Sequence, residues 1–422
     1  MKKILGLAVS ILLSPISAAD TIYLTADKML DVVGGGIIDN PAIIIEGERI
    51  VDVGLRSDLA IPAGAKSIEL VGMTLMPGLM DMHTHLTSKA TEHGYIALKN
   101  SIPRQAITGV KNARTTLMAG VTTTRNLGAS GYADIALRDA IVEGDIPGPR
   151  IFASGPALGI TGGHCDNNLL PQEYNAQGDG VADGPWGVRS KVRENIKYGA
   201  NTIKFCATGG VLSKGTKVGV QQYTQEEMEA IVDEAHRRGL IVAAHAHGTD
   251  GIKAAILAGV DSIEHASFMD KEAIKLAKKH GTYLSMDIYD TEYILSKGLE
   301  SGMLPESIEK ERMTGKRQRQ SFTESWEAGV KMVMGTDSSV YPHGDNPKQL
   351  SRMVTFGMSP MEALQAATIE GAKLLKQTDH LGSLRAGRYA DIIAIEGDPI
   401  DDITLLENVS FVMKGGEIYK QP

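Results

Sequence analysis

Between positions 75 and 336 the chain alternates short apolar runs with stretches of helical periodicity. The apolar runs, rich in Val, Ile and Ala, predict strands over 75–83, 121–127, 150–155, 202–207, 241–247, 262–265, 282–288 and 331–336. Apolar positions three and four apart predict amphipathic helices between them, among others over 225–238, 251–258 and 271–280. Eight strands alternating with helices favour a (β/α)8 TIM barrel over an open doubly wound sheet. The open sheet would want a glycine-rich phosphate loop after its first strand, and Met82-His83-Thr84-His85-Leu86 is not one.

The two ends have another texture. Short Ile- and Val-rich runs at 21–24, 42–46 and 49–53 are broken by Gly and Asp, as in a small antiparallel sheet. Similar runs return at 390–396 and 410–414, and Gly415-Gly416 sits as a hairpin turn before 417–419. The pattern predicts one small β-sandwich domain built from both ends, 20–74 and 381–422, around a barrel over 75–380. Residues 1–19 read as a signal peptide: Lys2 and Lys3 precede an apolar run at 4–13, and Ser17-Ala18-Ala19 supplies the small residues of a cleavage site. The expected destination is the periplasm or the medium. No other stretch has the length and apolarity of a membrane span, so no membrane partner is expected.

With 422 residues, 42% of them hydrophobic, the chain can bury a large core. A formal net charge of −8 without any basic block argues against a nucleic-acid partner. Cys165 and Cys206 match neither a zinc-finger spacing nor a disulfide framework, and are expected as small packed residues.

Chemistry enters where the apolar runs turn polar. Active sites of (β/α)8 barrels gather at the carboxyl ends of the strands. His83 and His85, two apart in an extended run, project to one side. His245 and His247 repeat that spacing, one as a ligand and the other as a substrate contact. His265 ends the sixth run and, alone, would read as a satisfied core histidine; Asp337 follows the eighth and, alone, would read as a helix cap. Lys204, between Ile203 and Phe205, is costly to bury unpaired. Either it reaches the barrel rim, or it carries a carboxyl group from carbon dioxide and becomes an oxygen ligand between two metals. Six such accidents at strand ends are improbable together.

In these residues the chain resembles the amidohydrolase superfamily, in its binuclear branch with a carboxylated lysine. The resemblance covers nearly all of the chain after the signal. It implies two divalent ions, zinc first, with Mn, Co or Fe suiting the same donors. It assigns His83, His85 and Asp337 to the more buried ion, His245 and His265 to the more exposed one, and carboxylated Lys204 to the bridge. Asp337 is then also the catalytic proton carrier. Mononuclear deaminases of the superfamily carry a glutamate three residues after the fifth-strand histidine; Gly248 stands there.

The segments Thr161-Gly162-Gly163-His164-Cys165-Asp166, Ala207-Thr208-Gly209-Gly210 and Tyr341-Pro342-His343-Gly344-Asp345-Asn346 are similar to those of imidazolonepropionase-related dipeptidases and carboxypeptidases. Relatives there release a carboxy-terminal Arg, Lys or Pro, and some cleave the amide of ochratoxin A. The implied substrate is a small molecule or dipeptide with a free carboxylate, contacted by His164, Tyr223, His247 and His343. An acidic Asp345 would favour a basic side chain. Alternatives are a cyclic-amide hydrolase of the hydantoinase or imidazolone type, and a binding protein that kept the barrel and lost catalysis. A homo-oligomer is expected.

Overall fold

The computed structural model describes residues 21–422, so the expected signal peptide lies outside the described residues. Strands β1 (Thr21–Asp31), β2 (Gly36–Asp39), β3 (Pro41–Glu46), β4 (Arg49–Leu55) and β5 (Lys66–Pro77) come first. A three-stranded parallel sheet follows, β6 (Leu79–Thr84), β7 (Val121–Asn126) and β8 (Arg150–Ala153). Next comes a five-stranded parallel sheet of β9 (Ile203–Cys206), β10 (Val242–Ala246), β11 (Ser262–His265), β12 (Tyr283–Ser285) and β13 (Met332–Val333). The chain ends with β14 (Ile392–Glu396), β15 (Phe411–Lys414) and β16 (Glu417–Lys420).

Both chain ends build one sheet, in the order β16-β15-β14-β5-β1-β3-β4 with β2 on β1. The joint is β14 against β5, where Ile392 lies opposite Pro77 and Ile395 opposite Thr74. Leu24, Ile43, Ile45, Leu75, Ile392 and Phe411 form its apolar core. All eight strands are joined edge to edge, so they do not divide into the two separately bonded layers of the expected sandwich.

The predicted first strand, 75–83, is two strands. A Cβ on Gly78 would run into the Thr122 side chain, so the chain passes from the end sheet into β6 through the one residue that fits. The expected strands over 241–247 and 331–336 shrink to β10 and β13. Backbone hydrogen bonds join the two parallel sheets along both free edges. Leu158 N–H donates to Lys204 O and Cys206 N–H to Leu158 O, both at 2.8 Å. On the other side Met82 N–H donates to Met334 O and Asp337 N–H to His83 O, again at 2.8 Å.

The helices pack outside the parallel strands. Lys271–His280 spans the predicted residues: the Asp270 side chain caps its first turn, Gly281 leaves it at φ 71°, and Lys278, Lys279 and His280 face the negative end of its dipole. Gln225–His236 starts at a capping box of Thr224 and Glu227. Among the described residues no helix is long and apolar enough to cross a membrane.

Candidate active site

The strand ends of both parallel sheets open into one cavity of about 920 Å³. His83, His85, Lys204, His245, His265 and Asp337, the six residues singled out by their position in the sequence, all line it. The Nε2 atoms of His83 and His85 lie 3.3 and 3.0 Å from Asp337 Oδ1. The rings of His245 and His265 have centroids 4.5 Å apart, and that of His83 lies 5.2 Å from His265. Three adjoining sets can each bring donor atoms within 4.8 Å of one another: His83, His85 and Asp337; His245, His247 and His265; His265, Asp287 and Asp337.

The backbone is bent to make this possible. His265 and Asp337 have φ of 71° and 49°, in the left-handed region that non-glycine residues avoid. Such strain costs on the order of 1–3 kcal/mol per residue and collects at functional sites. Gly335 supplies the close approach beneath them, since a Cβ there would meet the Ser285 hydroxyl.

Burial and charge leave these groups in states able to bind a cation. Burial drives His83 down to about 4 and His245 well below an ordinary histidine, so both are neutral imidazoles with a free lone pair. Burial works against a charge on Asp337, yet His83 and His85 hold it well below the usual carboxylate range. Burial brings Lys204 down to about 8, and its ammonium makes no ion pair among the described residues. Three buried atoms of the six residues, His83 Nδ1, His245 Nε2 and Asp337 Oδ1, make no hydrogen bond. Neutral imidazole nitrogens and a carboxylate oxygen gathered in adjoining sets, with a buried lysine lining the same cavity, fit divalent metal ions.

A buried layer that the sequence reading missed supports the six. Asp287, just past β12, accepts from His265 Nδ1 at 2.9 Å and from Gln318 Nε2 at 2.8 Å. Arg125, fully buried, donates to Met82 O, to the Ser262 hydroxyl and to Glu264 Oε1. Asp81 accepts from the Thr336 hydroxyl and the Asn346 amide, tying β6 to the turn that carries Asp337. Asp81 and Asp287 are charged residues inside apolar runs, which was the available signal; Arg125 follows three threonines and carried none.

Of the expected substrate contacts, two reach the cavity. His164 stacks on His245 with centroids 4.0 Å apart, and its Nδ1 meets Ser213 Oγ at 2.7 Å. That stacking requires Gly210, where a Cβ would strike the His164 ring. His247 stacks on His265 and meets Ser267 Oγ at 2.8 Å. The structure does not bring Tyr223 to the cavity. Its ring is fully buried against Phe205, and its hydroxyl donates to Ala182 O. His343 also lies behind the wall, with Nε2 on Ser88 O, and Asp345 pairs with Lys348.

Cys165 and Cys206 are not separate packed thiols: they form a disulfide, with Cα atoms 6.0 Å apart. The fold brings the loop after β8 across the end of β9, a proximity that a separation of 41 positions conceals in the sequence. Gly248, where a deaminase would carry glutamate, presses on the Gly219 carbonyl so closely that no Cβ fits.

A parallel α/β fold with imidazoles and carboxylates converging at its strand ends defines a hydrolase architecture. The model of the amidohydrolase family matches residues 74–419, and the chain belongs to that family. It is a hydrolase of amide bonds. An ochratoxinase of Aspergillus niger is 34% identical over 415 residues, covering 92% of this chain and 84% of the relative. A crystal structure of a Xaa-Pro dipeptidase with methionine bound in its active site superposes with TM-score 0.90 at 40% identity, covering 95% of this chain and all of that one. A prolidase complexed with N-methylphosphonate-L-proline has TM-score 0.88 at 32% identity, with the same coverage.

Proposed function

We propose that the chain is a binuclear metal-dependent dipeptidase or carboxypeptidase that releases the carboxy-terminal residue of a small peptide. The observation that carries this reading is the convergence of His83, His85, Lys204, His245, His265 and Asp337 on one cavity. In it His83, His85 and Asp337 would hold one ion, His245 and His265 the other, and Lys204, once carboxylated, would offer oxygen ligands to both. Bound there, two divalent ions, zinc first, supply Lewis acidity and bring the pKa of a water toward neutrality. Asp337 takes the proton of the attacking water and passes it to the leaving amide nitrogen. His164 and His247 orient the substrate, offering ring N–H donors to its carboxylate.

The two parallel sheets are read as halves of one (β/α)8 barrel, supported by the hydrogen bonds along both edges. The barrel is placed over 79–380, with the end sheet from 21–77 and 381–422. The export expected from residues 1–19 is supported by the disulfide, which suits an oxidising compartment.

The substrate reading draws on the likeness to a Xaa-Pro dipeptidase, a prolidase and an ochratoxinase. It is tested with metal-replete protein on Xaa-Pro, Xaa-Arg and Xaa-Lys dipeptides, their N-blocked forms, hydantoins and ochratoxin A. Release of the carboxy-terminal residue, abolished by a chelator and restored by metal, is expected. Turnover confined to cyclic amides would replace the dipeptidase reading.

A further inference from the structure

The helix Pro305–Glu327, between β12 and β13, buries a polar stripe: Ser307, Glu311, Thr314, Gln318, Ser321 and Ser325 are buried, with only Ile308, Gly315 and Phe322 beside them. Helices of globular proteins normally turn their apolar face inward. Part of the stripe has structural work, since Gln318 reaches Asp287 and the Ser321 hydroxyl donates to Ser267 O. Glu311 and Thr314 also line the cavity, two turns and one turn nearer the helix start than Gln318.

Opposite them, at the start of the helix Asp290–Lys297, stands Asp290. It lines the same cavity at 4% exposure, and its Oδ1 makes no hydrogen bond. Glu311 is 5% exposed and accepts only from the Thr291 hydroxyl. Gly315 leaves room for that contact, because a Cβ there would meet both side chains. Neither carboxyl has a lysine or arginine within ion-pair distance among the described residues. Arg319, the nearest guanidinium on the same helix, is turned to Ile288 O and Glu292. Two carboxyls buried in one cavity without a cation stay protonated, burial raising Glu311 to about 7 and Asp290 well above its ordinary value, and a cationic group entering the cavity would let them ionise against it. Asp287 links this corner to the catalytic centre through His265.

We propose that Asp290 and Glu311 form a subsite that receives a cationic group of the substrate, an alkylammonium or a guanidinium. The proposal rests on the amide-hydrolase reading of the cavity and adds the charge that its substrate carries. The cation comes either from the α-amino group of the peptide or from a basic side chain.

The test is calorimetric binding to metal-loaded Asp337→Asn protein, run beside turnover by the wild type. Three matched pairs separate the sources: a free dipeptide against its N-acetyl form, an N-acyl arginine peptide against its citrulline counterpart, and an N-acetyl-lysyl peptide against its norleucyl counterpart. One charged member should bind about tenfold or more tightly than its neutral mate. Adding Glu311→Gln or Asp290→Asn should bring that ratio toward one, and a folded variant is recognised by its unchanged melting cooperativity. Charge preference in binding without turnover would support the subsite and overturn the peptidase reading. Turnover with no charge preference in any pair, or a preference that survives both substitutions, would overturn the subsite.

Discussion

Glu264 Oε2 lies 3.2 Å from Nδ1 of His83, while Glu264 Oε1 accepts from Arg125 at 2.7 Å. Arg125, Glu264 and His83 lie in one buried row, in which the imidazole turns its Nδ1 edge to the carboxylate and Nε2 toward Asp337. A carboxylate behind a ligand histidine typically accounts for about 10–100-fold in metal affinity. Glu264→Gln is therefore expected to weaken metal retention by that order, measured by competition with a chromogenic chelator. Glu264→Ala leaves the Arg125 charge buried and unpaired, and should cost about 3–5 kcal/mol of stability in denaturant titrations.

Asp337→Asn keeps a donor-sized side chain at the bend but removes the proton acceptor. Turnover should fall by about a hundredfold or more, with metal content, read by atomic emission, largely kept. Activity near wild type in this variant would remove Asp337 from its assigned role.

Lys204 is neutral enough at mildly alkaline pH to combine with carbon dioxide, because burial brings its amine to about 8. Reloading of metal-stripped protein is expected to accelerate with added bicarbonate, followed as recovery of metal content. Lys204→Met should abolish that dependence.

The disulfide closes a loop of 41 positions. On the chain-entropy account this stabilises the folded state by about 4 kcal/mol. Cys165→Ser, next to His164, should lower the denaturation midpoint and raise KM more than it lowers kcat. A reductant should reproduce the effect in the parent protein and not in the variant.

At the cavity rim burial works against a charge on Glu92, yet Asn100, Lys89 and Lys99 override it and bring the carboxyl to about 2, from an ordinary 4.5. A depressed carboxyl contributes stability that is present above about 4.5 and is lost as pH falls through about 2. Glu92→Gln should thus be less stable than the parent at neutral pH, and the difference should shrink between these values in paired urea titrations.

The cavity-lining positions were legible because each breaks or follows an apolar run: His83, His245 and Asp337 needed only strand periodicity and the rule that sites of parallel α/β folds lie at the carboxyl ends of strands. Helix Lys271–His280 was legible because Asp270 and Gly281 punctuate it. Tyr223 misled because a residue before a helix cap can face either way, and here packing on Phe205 decides. Asp290 and Glu311 lie on helices whose buried stripe is polar, the reverse of the pattern that marks an inward face. The Cys165–Cys206 bridge depends on a loop crossing that local sequence does not encode.

The central claim is a two-metal amide hydrolase, and titrating zinc into metal-stripped protein while following dipeptide hydrolysis tests it most directly. Activity that is absent without metal and saturates near two ions per chain is the predicted result. Hydrolysis that persists in the metal-free protein, or saturates at one ion, would contradict it.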